Sequence, residues 1–372
     1  MNTGSRLKLG ARILGGILSP DSPSTVVVHV TQDCNAQCSF CSSASIRRPP
    51  SSADRSPHLS IEEYARFARS LRPLYQVILG GGEPFLRHDL VDIVEAFCIE
   101  SDARLISIAT NGSLHDRIPA TVERMVTRCP DAAFNVQVSL DAVGDRHDAL
   151  RGLAGCFRSA IRVCHELIGL GRQHPNLTLV IGTVANEETV SHLPDLRAFL
   201  ALEFGDLLPF HSVQFDQRLQ RLPVALLDSA DARCPLAQEG GPGRLRRFIE
   251  KYYVDFVNDI VLRQIREDRM IYRCNAGSKL CVVLPDGGIA PCEPFAFEPC
   301  YHDFLRLNIR DHDCDFRKVL KAPGFQPTLR FIKDGRCTAC SWSCAAISSL
   351  MFSPSNWPLL LNSRGIDRWA AR

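Results

Sequence analysis

Between Thr25 and Phe215 the chain alternates six apolar runs, TVVVHV, YQVILGG, RLISIATNG, FNVQVSLD, LTLVIGTV and FHSVQFD, with segments of helical periodicity. No other feature restricts the fold as much. Such runs, bounded by turn residues, read as strands. The first helical segment opens with Ser60 and Glu63, a capping box, and then places Ile61, Tyr64, Phe67, Ala68 and Leu71 on one face. Amphipathic stretches recur near Leu90 to Cys98, Pro119 to Thr127, Phe157 to Leu170 and Val190 to Leu202. Continuous apolar strands alternating with helices predict parallel strands buried on both faces. Six of them predict an α/β fold, a (β/α)6 barrel of the TIM type, partial or complete, with its chemistry at the strand C-terminal ends. A doubly wound open sheet shares that property.

The polar motifs follow the strands, as that placement requires. Three cysteines come after the first strand, GGGEP after the second and TNG after the third, while SLD closes the fourth. At 372 residues, 45% hydrophobic and 23% charged, the chain can bury one large core or two moderate ones. Lys+Arg 43 against Asp+Glu 41 leaves a formal charge of +2, so no basic face asks for nucleic acid. Sixteen cysteines in a chain of this length, without a cleavable signal, point to metal rather than disulfides and to a cytoplasmic location. Leu7, Ile13, Leu14, Ile17 and Leu18 fit a short N-terminal helix that either packs on its own domain or touches a membrane.

After Phe215 the pattern breaks, with QEGGPG (Gln238 to Gly243) as a linker, and a helical run from Gly243 to Asp268 follows. Eight of the sixteen cysteines lie between Cys274 and Cys344, the mark of a small unit organised by metal. The expected divisions are an N-terminal extension (1–24), the barrel (25–220), linker and helix (221–270), the cysteine-rich unit (271–354) and a tail (355–372).

Cys34, Cys38 and Cys41, spaced C-x3-C-x2-C, can hold three irons of a [4Fe-4S] cubane and leave the fourth without a protein ligand. Structural zinc or unrelated thiols are the alternatives, although zinc takes four protein ligands. With an aromatic before its last cysteine, CNAQCSFC resembles the cluster motif of the radical S-adenosylmethionine (AdoMet) superfamily. The resemblance implies that AdoMet chelates the open iron and that the reduced cluster cleaves it to a 5′-deoxyadenosyl radical. Phe40 then packs either near the adenine or simply within its loop.

GGGEP is similar to the segment that receives the methionyl ammonium in that superfamily, which implies this role for Gly81, Gly82, Glu83 and Pro84. TNG contributes Asn111. SLDAVGDRHDALRG resembles the segment that places Ser139 and Asp141 near the ribose and Arg151 against the AdoMet carboxylate. Asp141 as a helix cap and Arg151 on a solvated face remain the plain readings.

Cys274, Gly287 and Cys292, followed by Cys337, Cys340 and Cys344, resemble the SPASM/Twitch domain of radical AdoMet enzymes. The spacing departs from a full SPASM pattern, since no cysteine lies beyond Cys344. That implies one auxiliary [4Fe-4S] cluster on Cys274, Cys292, Cys337 and Cys340, with Cys344 able to replace one. A second cluster using Cys281, Cys300 or Cys314, or a zinc ribbon, stays open. Cys98, Cys129, Cys156 and Cys164 read as buried small hydrophobes.

Glu293 follows Cys292 directly, and the resemblance implies it as the catalytic base, with an exposed acid on a turn as the plain reading; His211 and Gln214 are weaker candidates for substrate contact. The implied activity is an oxidoreductase acting on a small molecule, a sugar, aminocyclitol or lipid-linked group, with a flavodoxin or ferredoxin as electron donor. A peptide-modifying maturase is the first alternative, set second because the 25 residues before the first strand leave no room for a peptide-binding domain. An Fe-S scaffold or sensor is the other.

Overall fold

All six expected strands form. They are β1 (Thr25–His29), β2 (Gln76–Gly80), β3 (Leu105–Thr110), β4 (Ala133–Ser139), β5 (Leu177–Ala185) and β6 (Phe210–Phe215), parallel and adjacent in chain order. The computed structural model describes residues 14–17, 22–45, 58–216, 244–301, 304, 307–337 and 340–361. Between the strands run α1 (Ile61–Ser70), α2 (Leu90–Glu100), α3 (Ile118–Arg128), α4 (Asp145–Arg151), α5 (Cys156–Gln173) and α6 (Leu193–Phe204). The result is an open, partial (β/α)6 barrel.

Local chemistry accounts for the first helix. Ser60 Oγ accepts from the Glu63 N–H at 3.3 Å, and Glu63 returns a carboxylate oxygen to the Ser60 N–H at 2.8 Å, the expected capping box. Tyr64, Phe67 and Ala68 then face the core beside Phe97 of α2. Each fully buried side chain of this size contributes about 1.5–3 kcal/mol.

Burial on both strand faces holds along β1 but not along most of the barrel. Along β2, β3, β4 and β6 buried residues alternate with half-exposed ones. Ile106, Ile108, Val136 and Val138 pack into the core with the helices, whereas Ser107, Asn135, Gln137, Ser139, Ser212 and Gln214 fall on the other, inner face. Val27 and Ile78 on that face pack against the cysteine-rich part, whereas along β3, β4 and β6 it stays half-exposed and can form the wall of a groove.

The cysteine-rich segment continues the same sheet. β7 (Leu280–Val283) pairs parallel with β1, Val26 opposite Cys281, and β8 (Gly288–Ala290) and β9 (Leu307–Asn308) add antiparallel strands. Cys281, Val283, Ile289 and Phe316 belong to the same apolar cluster as Val26, Leu59 and Phe67. The division at residue 271 is thus no break in sheet or core. The helices of this part begin with α7 (Arg244–Glu267), α8 (Glu293–Phe297), α9 (Phe316–Lys321) and α10 (Gln326–Lys333). They are followed by α11 (Ser343–Phe352). Phe256, Val257 and Ile260 of α7 pack against Val213 and Phe215 of β6 and Ala346 and Leu350 of α11.

Leu14 to Ile17 form one helical turn whose Gly16 carbonyl accepts from Lys279 Nζ at 2.6 Å, so this part of the N-terminal helix docks on its own protein. Leu7, Ile13 and Leu18, and the linker Gln238 to Gly243, lie outside the described residues. Among the described residues no helix is long and apolar enough to cross a membrane.

Candidate functional site

The barrel motifs gather at the C-terminal rim of the strands. Past β1 the chain enters the loop of Cys34, Cys38 and Cys41, three free, half-buried thiols. That loop is held by the next one. The Gly82 N–H donates to the Thr31 carbonyl and the Glu83 N–H to the Asp33 carbonyl, both at 2.8 Å. A Cβ on Gly81 would stand 2.5 Å from the Thr31 oxygen, and one on Gly82 only 2.0 Å from the Asp33 oxygen. The glycines are therefore required where the two loops meet, before any ligand is considered.

Glu83 is 1% exposed. Its carboxylate accepts from Thr110 Oγ1 at 2.7 Å, the Asn111 N–H at 2.8 Å and the Phe85 N–H at 3.2 Å. Burial pushes its pKa up to about 7, with those hydrogen bonds acting against the rise. Pro84, buried, opens a single 3-10 turn to Leu86. Asn111 Nδ2 donates to Asn35 Oδ1 at 2.9 Å, and Asn35 Nδ2 to Ser113 Oγ at 2.8 Å, which ties the third loop to the cysteine loop.

On the other flank Ser139 ends β4 and Asp141 is fully buried. Asp141 accepts from the Val184 N–H at 3.0 Å and from Arg151 Nε at 2.7 Å, while its own N–H donates to His147 Nδ1 at 3.2 Å. Burial drives the His147 pKa down to about 4, which keeps that ring neutral. Phe40 packs with Ala142 and Leu150 beneath the Arg151 guanidinium. Neither plain reading survives here: Asp141 makes no cap, and Arg151 is buried rather than solvated.

A second group of thiols lies in the C-terminal part, where Cys274, Cys292, Cys337 and Cys340 line one cavity with Phe295 and Tyr301. Burial pushes Cys337 and Cys340 up to about 12. Among the described residues no three His, Cys, Asp or Glu groups stand close enough to hold a single ion; these thiols surround a space instead.

Cys344 packs in the same apolar cluster as Cys274, Cys292 and Cys337. It does not line that cavity; its thiol donates to Glu293 Oε2 at 3.2 Å, and Glu293 Oε1 lies 3.5 Å from His29 Nε2. Glu293, at the first turn of α8, is thereby set in the seam between β1 and the cysteine-rich part rather than on an exposed turn. Cys281 and Cys314 are buried in the main core, with Cys314 Sγ 4.0 Å from Arg66, while Cys300 is exposed on a 3-10 turn. Cys129, Cys156 and Cys164 are buried and Cys98 half-buried. His211 faces the core side of β6, 2.7 Å from Thr183 Oγ1, so of that pair only Gln214 looks onto the groove.

The donor chemistry fits iron-sulfur groups at both places. Three free thiols on one rim loop can supply three cluster ligands, and four free thiols around an apolar cavity can supply a complete set. Burial raises the Cys34 pKa to about 11 and also raises that of Cys38, so loading iron displaces thiol protons.

Residues 28–200, from within β1 to within α6, match the Radical SAM superfamily. That segment, the barrel from β1 to α6, carries a radical SAM domain. Mycofactocin maturase MftC of Mycobacterium ulcerans (strain Agy99) is 27% identical over 345 residues, covering 86% of this chain and 80% of that protein. PqqA peptide cyclase of Bradyrhizobium diazoefficiens is 27% identical over 232 residues, 60% of this chain and 57% of that one. Among solved structures, native anSMEcpe with bound AdoMet and Kp18Cys peptide superposes with a TM-score of 0.54 at 16% identity, covering 94% of this chain and all of that one. At that identity the likeness shows the fold.

Sequence reasoning missed Thr110, Asn35 and His29. Thr110 stood inside a named motif, and its hydroxyl at a strand end beside a buried carboxylate was the available signal. Asn35 and His29 had none, because their partners are remote in sequence.

Proposed function

We propose that this radical SAM enzyme modifies a peptide, the reading first set as the alternative to a small-molecule oxidation. One observation carries it. The inner wall of the barrel presents Asn135, Gln137, Ser139, Ser212 and Gln214, all uncharged, half-exposed and without a side-chain partner among the described residues. Register sets Ser139 level with Gly182, and Gly182 level with Ser212, so these groups form rows across neighbouring strands. Such a wall suits the alternating amides of an extended peptide. The names of the relatives agree with it: a maturase, a peptide cyclase and a structure with a bound peptide.

In this reading Cys34, Cys38 and Cys41 hold a [4Fe-4S] cluster, and Glu83, with Gly81, Gly82 and Pro84 shaping its turn, receives the AdoMet ammonium. Asn111 and Ser139 face the rest of that cofactor, while Asp141, itself fully buried, anchors Arg151 over Phe40 behind them. AdoMet on the reduced cluster supplies a 5′-deoxyadenosyl radical able to remove hydrogen from an unactivated carbon. Residues 271–354 act as a Twitch-like unit whose Cys274, Cys292, Cys337 and Cys340 hold one auxiliary [4Fe-4S] cluster. Glu293 takes the substrate proton, and a flavodoxin or ferredoxin delivers the electron.

The test is anaerobic reconstitution with AdoMet and dithionite, followed by incubation with deuterated peptides and deuterated small alcohols. Deuterium entering 5′-deoxyadenosine from a peptide is the expected result. Transfer from a small alcohol alone would restore the small-molecule reading, and iron loading without any 5′-deoxyadenosine would favour the scaffold.

A further inference from the structure

Arg151 ends α4 and is only 8% exposed. Its Nε donates to Asp141 Oδ2, and its Nη2 lies 2.5 Å from the same oxygen. Its Nη1 points the opposite way, 3.8 Å from Cys38 Sγ, within reach of a hydrogen bond to sulfur. The guanidinium plane rests over the Phe40 ring at 5.5 Å.

Backbone contacts fix this arrangement from both sides of Cys38. The Gln37 N–H donates to the Arg151 carbonyl at 2.7 Å and the Ser39 N–H to the Leu150 carbonyl at 3.3 Å. Gly152, at φ +57°, packs so close that a Cβ would stand 2.8 Å from the Gln37 oxygen. With three of its faces occupied by Asp141, Phe40 and Cys38, the guanidinium is engaged inside the protein. The family resemblance would aim it at the AdoMet carboxylate; the geometry aims it at a sulfur.

A cation and an N–H directed at a ligating sulfur favour the state that carries more negative charge, and so raise the potential of an iron-sulfur cluster. We infer that Arg151 sets the reduction potential of the cluster held by Cys34, Cys38 and Cys41 through its contact with the Cys38 sulfur. Arg151 is then a positioning and tuning residue, and it determines which electron donors can reduce the site. The inference rests on the proposed reading of those three cysteines as cluster ligands.

Wild type, Arg151→Lys, Arg151→Gln and the double variant Asp141→Asn/Arg151→Gln are reconstituted anaerobically and their iron measured. The AdoMet-responsive electron paramagnetic resonance signal is then titrated against potential, and AdoMet binding is followed by equilibrium dialysis. The midpoint potential is expected to shift downward in Arg151→Gln and in the double variant, and less in Arg151→Lys, which keeps the charge. Where Arg151→Gln alone fails to load iron because Asp141 is left as a buried unpaired charge, the double variant carries the measurement. An unchanged potential with weakened AdoMet binding overturns the inference and returns Arg151 to the carboxylate. Wild type that binds no iron at Cys34, Cys38 and Cys41 overturns the functional reading as well, so the two failures are distinct.

Discussion

The thiol of Cys344 donates to the carboxylate of Glu293 at 3.2 Å and is not among the side chains lining the cavity of the other four cysteines. By resemblance Cys274, Cys292, Cys337 and Cys340 were the expected set, with Cys344 able to replace one of them. The side chains divide them into four and one.

Iron content follows that division. The loaded protein should carry about eight irons per chain, and Cys292→Ala or Cys340→Ala should lose about four of them. Cys344→Ala should keep all of them. A Cys344→Ala protein with half the wild-type iron would return this thiol to the ligand set.

Glu83 gives the stability of the metal-free protein a pH signature. Burial raises its pKa from 4.5 to about 7 in the fold. A carboxyl whose folded pKa lies above its unfolded value contributes stability that is complete below the unfolded pKa and is lost as pH rises through the folded one. In urea unfolding, wild type should therefore lose stability relative to Glu83→Gln between about pH 4 and about pH 7. A difference that stays constant across that window would show that no proton is taken up at Glu83. Glu83→Gln should also weaken AdoMet binding in the loaded protein, since the ammonium then meets no anion.

Gly82→Ala tests the meeting of the two loops. A Cβ 2.0 Å from a backbone oxygen cannot be accommodated by a side-chain rotation, so one loop must move. The cost is expected at roughly 1–3 kcal/mol, with loss of iron at the first site and retention at the second. Iron analysis of the variant alongside Cys34→Ala checks this, and equal iron to wild type would refute it.

The groove wall is tested by Gln137→Leu and Asn135→Leu. Each removes an uncharged hydrogen-bonding group, and KM for a peptide substrate should rise several-fold, to about tenfold at most. AdoMet cleavage without substrate should keep its wild-type rate. A fall in that basal cleavage would place these side chains at the cofactor instead.

Local patterns made much of this architecture legible. The apolar runs located six strands, and Ser60 with Glu63 located the start of α1, because strand burial and helix capping act within a few residues of sequence. The wall of Asn135 and Gln137 was hidden, since a polar residue within an apolar run does not reveal whether its face is covered. The pairing of β7 with β1 joins residues more than half a chain apart, for which no sequence period exists. Likewise Arg151 carried a motif, but only the fold shows that Asp141 and Cys38 occupy its two ends.

That pairing has a consequence for what can move. β1 lies between β2 and β7, so the strand that leads into the first cysteine loop is hydrogen-bonded to the strand that leads toward Cys292. A hinge between the barrel and the strand that leads toward Cys292 would have to tear that β-ladder, so the loop of Cys34 and the chain approaching Cys292 share one frame.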